Sequence, residues 1–119
     1  MTYVDGFVFT VPKKNHKAYV KMAKLGKKTW LKHGALDYKE CKGDDLKAPM
    51  RKTFPQITKA SKNEDVWFSF IVFKSKAHRN AVNKKVMKEF SNMSGPTDMP
   101  FDMNKLAYGG FKTVVEGKR

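Results

Sequence analysis

The stretch that decides the fold is Val66-Trp67-Phe68-Ser69-Phe70-Ile71-Val72-Phe73. Its β-branched and aromatic residues predict a strand, and its lack of charged residues predicts a central position in a sheet. Side chains alternate across a strand, so Phe68 and Phe70 are predicted on one face. Trp67 and Ile71 are predicted on the other, which makes both faces of this strand apolar.

Three further strands and two helices are predicted around this stretch. The strands are Tyr3 to Val11, Ala35 to Lys42 and Leu106 to Val115; the helices run from Asn15 to about His33 and from Ser75 to about Met93, followed by a loop from Ser94 to Lys105. Asn15 and Ser75 are predicted N-caps, because their short polar side chains accept hydrogen bonds from free backbone N–H groups. The connection over residues 46–63 is predicted to hold a short anchored piece around Phe54 and Ile57.

The predicted order of elements is βαββαβ, which defines an α+β fold. The usual arrangement is a ferredoxin-like sandwich, with an antiparallel four-stranded sheet, two helices on one face and strand order 4-1-3-2. The second strand is predicted at an edge, because several of its residues are charged: Asp37, Lys39, Glu40 and Lys42. A length of 119 residues suits a single domain over residues 1–119.

The second face of the sheet is predicted to be apolar with nothing in the chain to cover it. Aromatic side chains left in contact with water would lose several kcal/mol of stabilisation, because burying apolar surface contributes about 25 cal/mol per Å². One solution is an RNA-recognition motif, in which bases stack on aromatic residues of the third strand, and Phe68, Phe70 and Phe73 fit those positions. However, Val66 and Trp67 replace the basic residue and the glycine of that motif. We therefore expect a second arrangement, the dimeric α/β barrel, in which two copies of the chain form a homodimer through this face.

Basic residues outnumber acidic ones, 25 against 11, giving a formal net charge of +14. Such a charge attracts polyanions. On the first helix, lysines recur as one narrow stripe, formed by Lys17, Lys21, Lys24, Lys28 and Lys32. Nucleic-acid binding through this lysine stripe is the alternative function. A solvated surface is favoured over a polyanion site, because arginine, the residue suited to base readout, occurs only as Arg51, Arg79 and Arg119.

Several function classes are excluded by the sequence. It has no run of about eighteen apolar residues for a membrane span, and its start lacks the pattern of a secretory signal. Cys41 is the single cysteine, which excludes an internal disulfide and a thiolate zinc cluster and favours a cytoplasmic setting. The histidines lie on separate elements without metal-ligand spacing, so we expect no metal and no cofactor.

Seven short blocks, spread in order over nearly the whole chain, carry a family resemblance. They are Tyr3-Val4-Asp5-Gly6-Phe7-Val8, His33-Gly34-Ala35-Leu36, Glu40-Cys41-Lys42-Gly43-Asp44-Asp45, Val66-Trp67-Phe68-Ser69-Phe70, Ser75-Lys76-Ala77, Met99-Pro100-Phe101-Asp102 and Tyr108-Gly109-Gly110-Phe111. In these blocks the chain resembles the bacterial YbaA-like family, a family of unknown function. The resemblance implies a dimeric α/β barrel in a small cytoplasmic protein and implies no established reaction. The chain differs from the family at Lys42, where an aromatic residue is common, and in its excess of lysine.

The predicted topology gathers a candidate ligand site at one end of the sheet. Its residues are Cys41, Asp44, Asp45, Phe101 and Tyr108. We expect this site to bind a small hydrophobic or aromatic molecule. Oxygenases and isomerases of the same architecture work without a cofactor, so a reaction of that kind remains an open alternative, by analogy of fold alone.

The reactive residue types each have a structural interpretation as well. Cys41 is expected to be a buried small hydrophobe, because a nucleophile needs a nearby base. His33 lies about 20 Å away along the strand, and His16, at the start of the first helix, is nearer but expected to be exposed. Asp44 and Asp45 suit an acid/base or metal-binding pair, but as turn residues they are expected to bond the local backbone. Asp5 could act as a proton acceptor, but we expect it to be a hydrogen-bonded structural residue.

Overall fold

The computed structural model describes residues 1–93 and 99–119. Its elements are β1 (Tyr3–Pro12), α1 (His16–Lys32), β2 (Asp37–Lys42), α2 (Phe54–Thr58), β3 (Glu64–Phe73), α3 (Lys76–Ser91) and β4 (Ala107–Lys112), with single 3-10 turns at Lys13–Asn15 and Met103–Lys105. The first part of the loop predicted over Ser94 to Lys105, residues 94–98, lies outside the described residues.

The strands of the described residues form one antiparallel sheet in the order β2-β3-β1-β4. This confirms the predicted strand order and places the apolar β3 inside the sheet. Two strands are shorter than predicted. The backbone N–H of Ala35 donates to Trp30 at the end of α1, so β2 begins only at Asp37. At the other edge, β4 ends at Lys112 because its partner β1 begins at Tyr3.

Helices α1 and α3 cover one face of the sheet, named here the helix face. Two packed clusters lie beneath them. One joins Ile71 and Phe73 of β3 to Val82 and Val86 of α3; the other joins Phe9, Val11 and Trp67 of the sheet to Tyr19 of α1. Each buried apolar side chain contributes about 1.5–3 kcal/mol, so these clusters hold the two helices on the sheet.

The opposite face, named here the open face, carries apolar side chains in contact with solvent. They are Val4, Val8, Phe68, Phe70, Val72 and Phe111. The rings of Phe68 and Phe111 are the most exposed, at 45% and 62%. The expectation that nothing in the chain covers this face was wrong at one end. There α2 contacts β1 and β3, and the paired Thr10 and Val66 are buried.

The two predicted N-caps differ in the structure. The Ser75 hydroxyl accepts a hydrogen bond from the backbone N–H of His78 at 3.0 Å, which confirms it as the cap of α3. Asn15 makes no such bond; its amide donates instead to the carbonyl of Pro100 at 3.0 Å. The prediction was wrong because Asn15 ends the 3-10 turn Lys13–Asn15 with φ −99° and ψ 10°, outside the extended conformation that is typical of a capping residue. No helix among the described residues is long and apolar enough to cross a membrane.

Candidate functional site

A cavity of about 260 Å³ opens at the end of the open face, beside α2. Its walls come from β2, the turn that follows β2, α2 and β3. The lining residues are Cys41, Lys42, Gly43, Asp44, Asp45, Leu46, Phe54, Val66 and Phe68. We call this cavity the Cys41 pocket. It contains three of the five predicted site residues, and most of its wall is apolar.

Local sequence shapes the Cys41 pocket. The backbone N–H of Gly43 donates to the carbonyl of Val66 at 2.7 Å, which holds the end of β2 against β3. A Cβ atom at position 43 would lie 2.5 Å from the Leu46 side chain and 3.0 Å from that carbonyl, so the turn requires glycine. Thr53 and Gln56 then form a capping box that starts α2 and brings Phe54 over the sheet.

Cys41 is exposed in the structure, so the expectation of a buried small hydrophobe was wrong. The reason is its position: β2 is an edge strand, and Cys41 lies opposite Phe68 on the open face, where no helix covers it. His16 lies on the helix face, its ring 5.9 Å from that of Trp67, and among the described residues no side chain forms a hydrogen bond with the thiol. Within residues 1–93 and 99–119, the thiol therefore has no hydrogen-bonded base to activate it.

Asp44 and Asp45 lie at the mouth of the Cys41 pocket, and both are exposed. Within residues 1–93 and 99–119, no group of three metal-ligating side chains comes together. Lys42 lines the same cavity, so its charged groups are two carboxylates and one ammonium group, a net charge of −1. This balance favours a neutral or cationic ligand over an anionic one.

The structure does not bring Phe101 and Tyr108 to the Cys41 pocket. Phe101 packs on the helix face, with its ring centroid 5.3 Å from Phe9 and 5.7 Å from Tyr19. Tyr108 pairs with Phe7 across the strands, and their rings lie 4.9 Å apart. The predicted site is therefore divided by the sheet: its Cys41 part opens on one face and these two rings pack on the other.

Asp5 has the structural role that its position predicted. It is 1% exposed, accepts a hydrogen bond from the Asn83 amide at 3.2 Å and lies 3.3 Å from the Arg79 Nε atom. Arg79 also donates to the hydroxyl of Tyr3 at 3.1 Å. Burial, followed by the charge of Asp5, raises the pKa of Tyr108. This network ties the start of β1 to α3.

The sequence interpretation missed two features of the helix face and the pocket. Leu46 lines the pocket, and nothing in the polar connection marked it. Phe54 was predicted to anchor the connection, as α2 does, but not to line a site. Glu40 was interpreted only as a charged residue of an edge strand. The available signal was that Glu40 follows Tyr38 by two residues. Residues two apart on a strand share a face, so the two side chains could be expected to lie together.

Fold and cavity together define a small α+β protein with one helix-covered face and one apolar face that carries a cavity of about 260 Å³. Over residues 2–103 the chain matches the family described as "Protein of unknown function (DUF1428)", and it belongs to that family.

Curated relatives extend this match over almost the whole chain. The chain is 37% identical over 116 residues to "Uncharacterized protein YbaA" of Escherichia coli (strain K12), an alignment that covers 98% of this chain and 99% of the relative. The figures are the same for the proteins of that name from Escherichia coli O157:H7 and Shigella flexneri. The resemblance to the YbaA-like family is confirmed.

Proposed function

We propose that this chain is a homodimeric α/β-barrel protein of the ferredoxin-like type that binds a small hydrophobic or aromatic molecule in the Cys41 pocket. One observation carries the proposal: Val66 and Phe68 belong at once to the pocket wall and to the face through which a second copy would pack. A dimer formed on that face would close the pocket from solvent, so binding and self-association support each other.

Charge favours a second copy as the partner of the open face. Despite the net charge of +14, the charged strand residues on this face within the described ranges are Asp37, Lys39 and Glu64. Asp37 and Lys39 form a salt bridge at 2.8 Å, and Glu64 forms one with Lys105 at 2.8 Å. Two copies can therefore meet there without bringing unpaired lysines together. The rings of Phe68 and Phe70, 6.1 Å apart, form the apolar centre of the face.

The wall of the Cys41 pocket favours the class of ligand. Leu46, Phe54 and Phe68 offer apolar and aromatic surface, whereas Asp44 and Asp45 stand at the mouth. Such a pocket suits a neutral or cationic aromatic molecule of modest size. We propose binding rather than catalysis, because the described residues place no base beside the thiol.

The single thiol offers a direct test. Iodoacetamide labels only Cys41, so its rate reports on access to the pocket. We expect indole or 2-naphthol to slow the labelling and to raise the melting temperature of both the wild type and Cys41→Ser. Leu46→Trp, which fills the pocket, should abolish both effects, whereas Ile57→Trp on the exposed side of α2 should preserve them. If no aromatic or aliphatic fragment slows labelling or stabilises the wild type, the binding proposal fails.

A second candidate function is nucleic-acid binding through the lysine stripe. All five of its lysines are exposed, and within the described residues only Lys32 pairs with a carboxylate, that of Glu89 at 2.9 Å. A row of ammonium groups along one helix, four of them without a salt bridge among the described residues, suits the regular spacing of phosphates.

The two candidates differ in their response to salt. Nucleic-acid binding should weaken steeply as salt rises, whereas self-association of a highly charged chain should strengthen because the repulsion is screened. The triple variant Lys21→Glu, Lys24→Glu and Lys28→Glu should lose binding to a labelled RNA. The matched variant Lys84→Glu, Lys85→Glu and Lys88→Glu has the same net charge and should keep it. Equal binding by the two variants would remove this candidate.

A further inference from the structure

Glu40 is held between α1 and the sheet by three hydroxyl groups. Its Oε1 atom accepts hydrogen bonds from Tyr19, at 2.7 Å, and from Ser69. Its Oε2 atom accepts one from Tyr38 at 2.6 Å. The donors come from α1, β2 and β3, so the carboxylate is fixed in one orientation. A carboxylate offers about four acceptor positions, which leaves one for a further donor.

The donors around Glu40 are all neutral. Burial, followed by the hydrogen bond to Glu40, raises the pKa of both Tyr19 and Tyr38, so both phenols keep their protons. In the part of the chain that the structure describes, no lysine, arginine or histidine forms a salt bridge with Glu40. Its negative charge therefore lacks a cationic partner, although a partly buried carboxylate normally has one.

A cavity of about 220 Å³ opens beside this carboxylate, on the helix face and away from the Cys41 pocket. Its lining residues are Val20, Ala23, Lys24, Lys27, Tyr38, Glu40 and Trp67. We call it the Glu40 cavity. Its wall combines apolar side chains, one carboxylate and two exposed lysines whose ammonium groups make no salt bridge within residues 1–93 and 99–119.

Trp67 adds aromatic surface to this wall. The residue is 4% exposed, and its indole N–H has no partner among the described residues. The nitrogen is almost completely buried, so the ring offers the cavity apolar surface rather than a hydrogen-bond donor.

We propose that the Glu40 cavity binds a small amino-carboxylate, a free α-amino acid with an apolar side chain. The ammonium group donates to the free acceptor position of Glu40, and the carboxylate is held by Lys24 and Lys27. The side chain packs on Val20 and Ala23. A simple amine would be repelled by the two lysines, and a simple acid by Glu40, so only a ligand with both charges fits. The volume of about 220 Å³, below the roughly 300–1,000 Å³ of sites for larger ligands, suits a molecule of this size.

Calorimetric titration of the intact protein tests this proposal with matched probes. The probes are L-phenylalanine, L-leucine, phenethylamine, which lacks the carboxylate, and 3-phenylpropionate, which lacks the amine. We expect saturable binding of at least one amino acid, at least about tenfold tighter than of the two truncated probes. No saturable binding of either amino acid up to about 10 mM, or equal binding of all probes, would overturn the proposal.

Variants assign the contacts. Glu40→Gln should no longer bind phenylalanine more tightly than 3-phenylpropionate, which lacks the amine. Lys27→Gln should show a smaller preference for phenylalanine over phenethylamine, which lacks the carboxylate. Lys27 lies outside the lysine stripe, so this change is separate from nucleic-acid binding. The matched control Lys84→Gln on α3 should bind as the wild type does. Ala23→Leu fills the cavity without removing a polar group and should abolish binding, which keeps the test decisive if Glu40→Gln unfolds. Unchanged binding in folded Ala23→Leu would refute the site.

Discussion

Glu64 is a carboxylate that three neighbours hold in its charged form at the start of β3. Its side chain, 11% exposed, accepts hydrogen bonds from Lys105 at 2.8 Å, from the backbone N–H of Ser61 at 2.9 Å and from Thr10 at 3.0 Å. The Lys105 ammonium contributes most to lowering the pKa of Glu64, from 4.5 to about 2. Because the folded state favours the charged form of Glu64, this side chain stabilises the fold only while its carboxyl group is ionised.

This gives a prediction with a defined sign. The stabilisation is fully present above the unfolded pKa of 4.5 and is lost as the pH falls from there toward 2. In urea unfolding we expect Glu64→Gln to lower the free energy of unfolding by on the order of 1 kcal/mol at pH 6 and by much less at pH 2.5. The effect is no larger because solvent screens the ion pair. The exposed Asp45→Asn serves as the control and should show no such difference. An equal loss for Glu64→Gln at both pH values would contradict the assignment.

At the scale of elements, the close approach of α1 to β2 depends on Gly26. A Cβ atom at this position would lie 2.8 Å from the Tyr38 hydroxyl, which its bond to Glu40 holds in place. Alanine in a helix is normally favoured over glycine by about 1 kcal/mol. Here we expect Gly26→Ala to destabilise the protein by about 1–3 kcal/mol, because the overpacked helix must move away from the strand.

A double variant isolates the cause. Tyr38→Phe removes the hydroxyl that the new methyl group meets, so Gly26→Ala should cost much less in the Tyr38→Phe background than in the wild type. Urea unfolding of the four proteins gives the coupling energy. If Gly26→Ala stabilises the wild type, as at an exposed helical site, the close packing described here is wrong.

At the scale of the whole molecule, the open face predicts a dimer. Light scattering at micromolar concentration should give a mass twice the 13.7 kDa of the chain. Phe68→Glu should give the mass of one chain, because it places a charge at the centre of the apolar face. Met87→Glu, at a residue of α3 that is 52% exposed, changes the charge equally and should remain dimeric. A wild type with the mass of a single chain would reject the dimer.

The element order and the central position of β3 were predictable from the sequence, because an uncharged, β-branched and aromatic stretch has one natural place in such a sheet. The face on which Tyr108 lies was not, because it depends on the register of β4, and a shift of one residue moves every side chain to the other face. The exposure of Cys41 was not predictable either, because it depends on whether another element covers the edge strand β2. The Glu40 cavity depends on three elements meeting at one carboxylate, which no local pattern encodes.

The lysine stripe on α1 and the ion pair of Asp37 with Lys39 on the open face differ in charge, so we expect each chain to have an electric dipole. We expect its positive end on the outer side of α1, where all five lysines of the stripe are exposed. Two chains related by a twofold axis through the open face would point these dipoles in opposite directions, and the components perpendicular to the axis would cancel. A field-orientation measurement such as transient electric birefringence would then record a much weaker alignment per chain for the dimer than for a separated monomer.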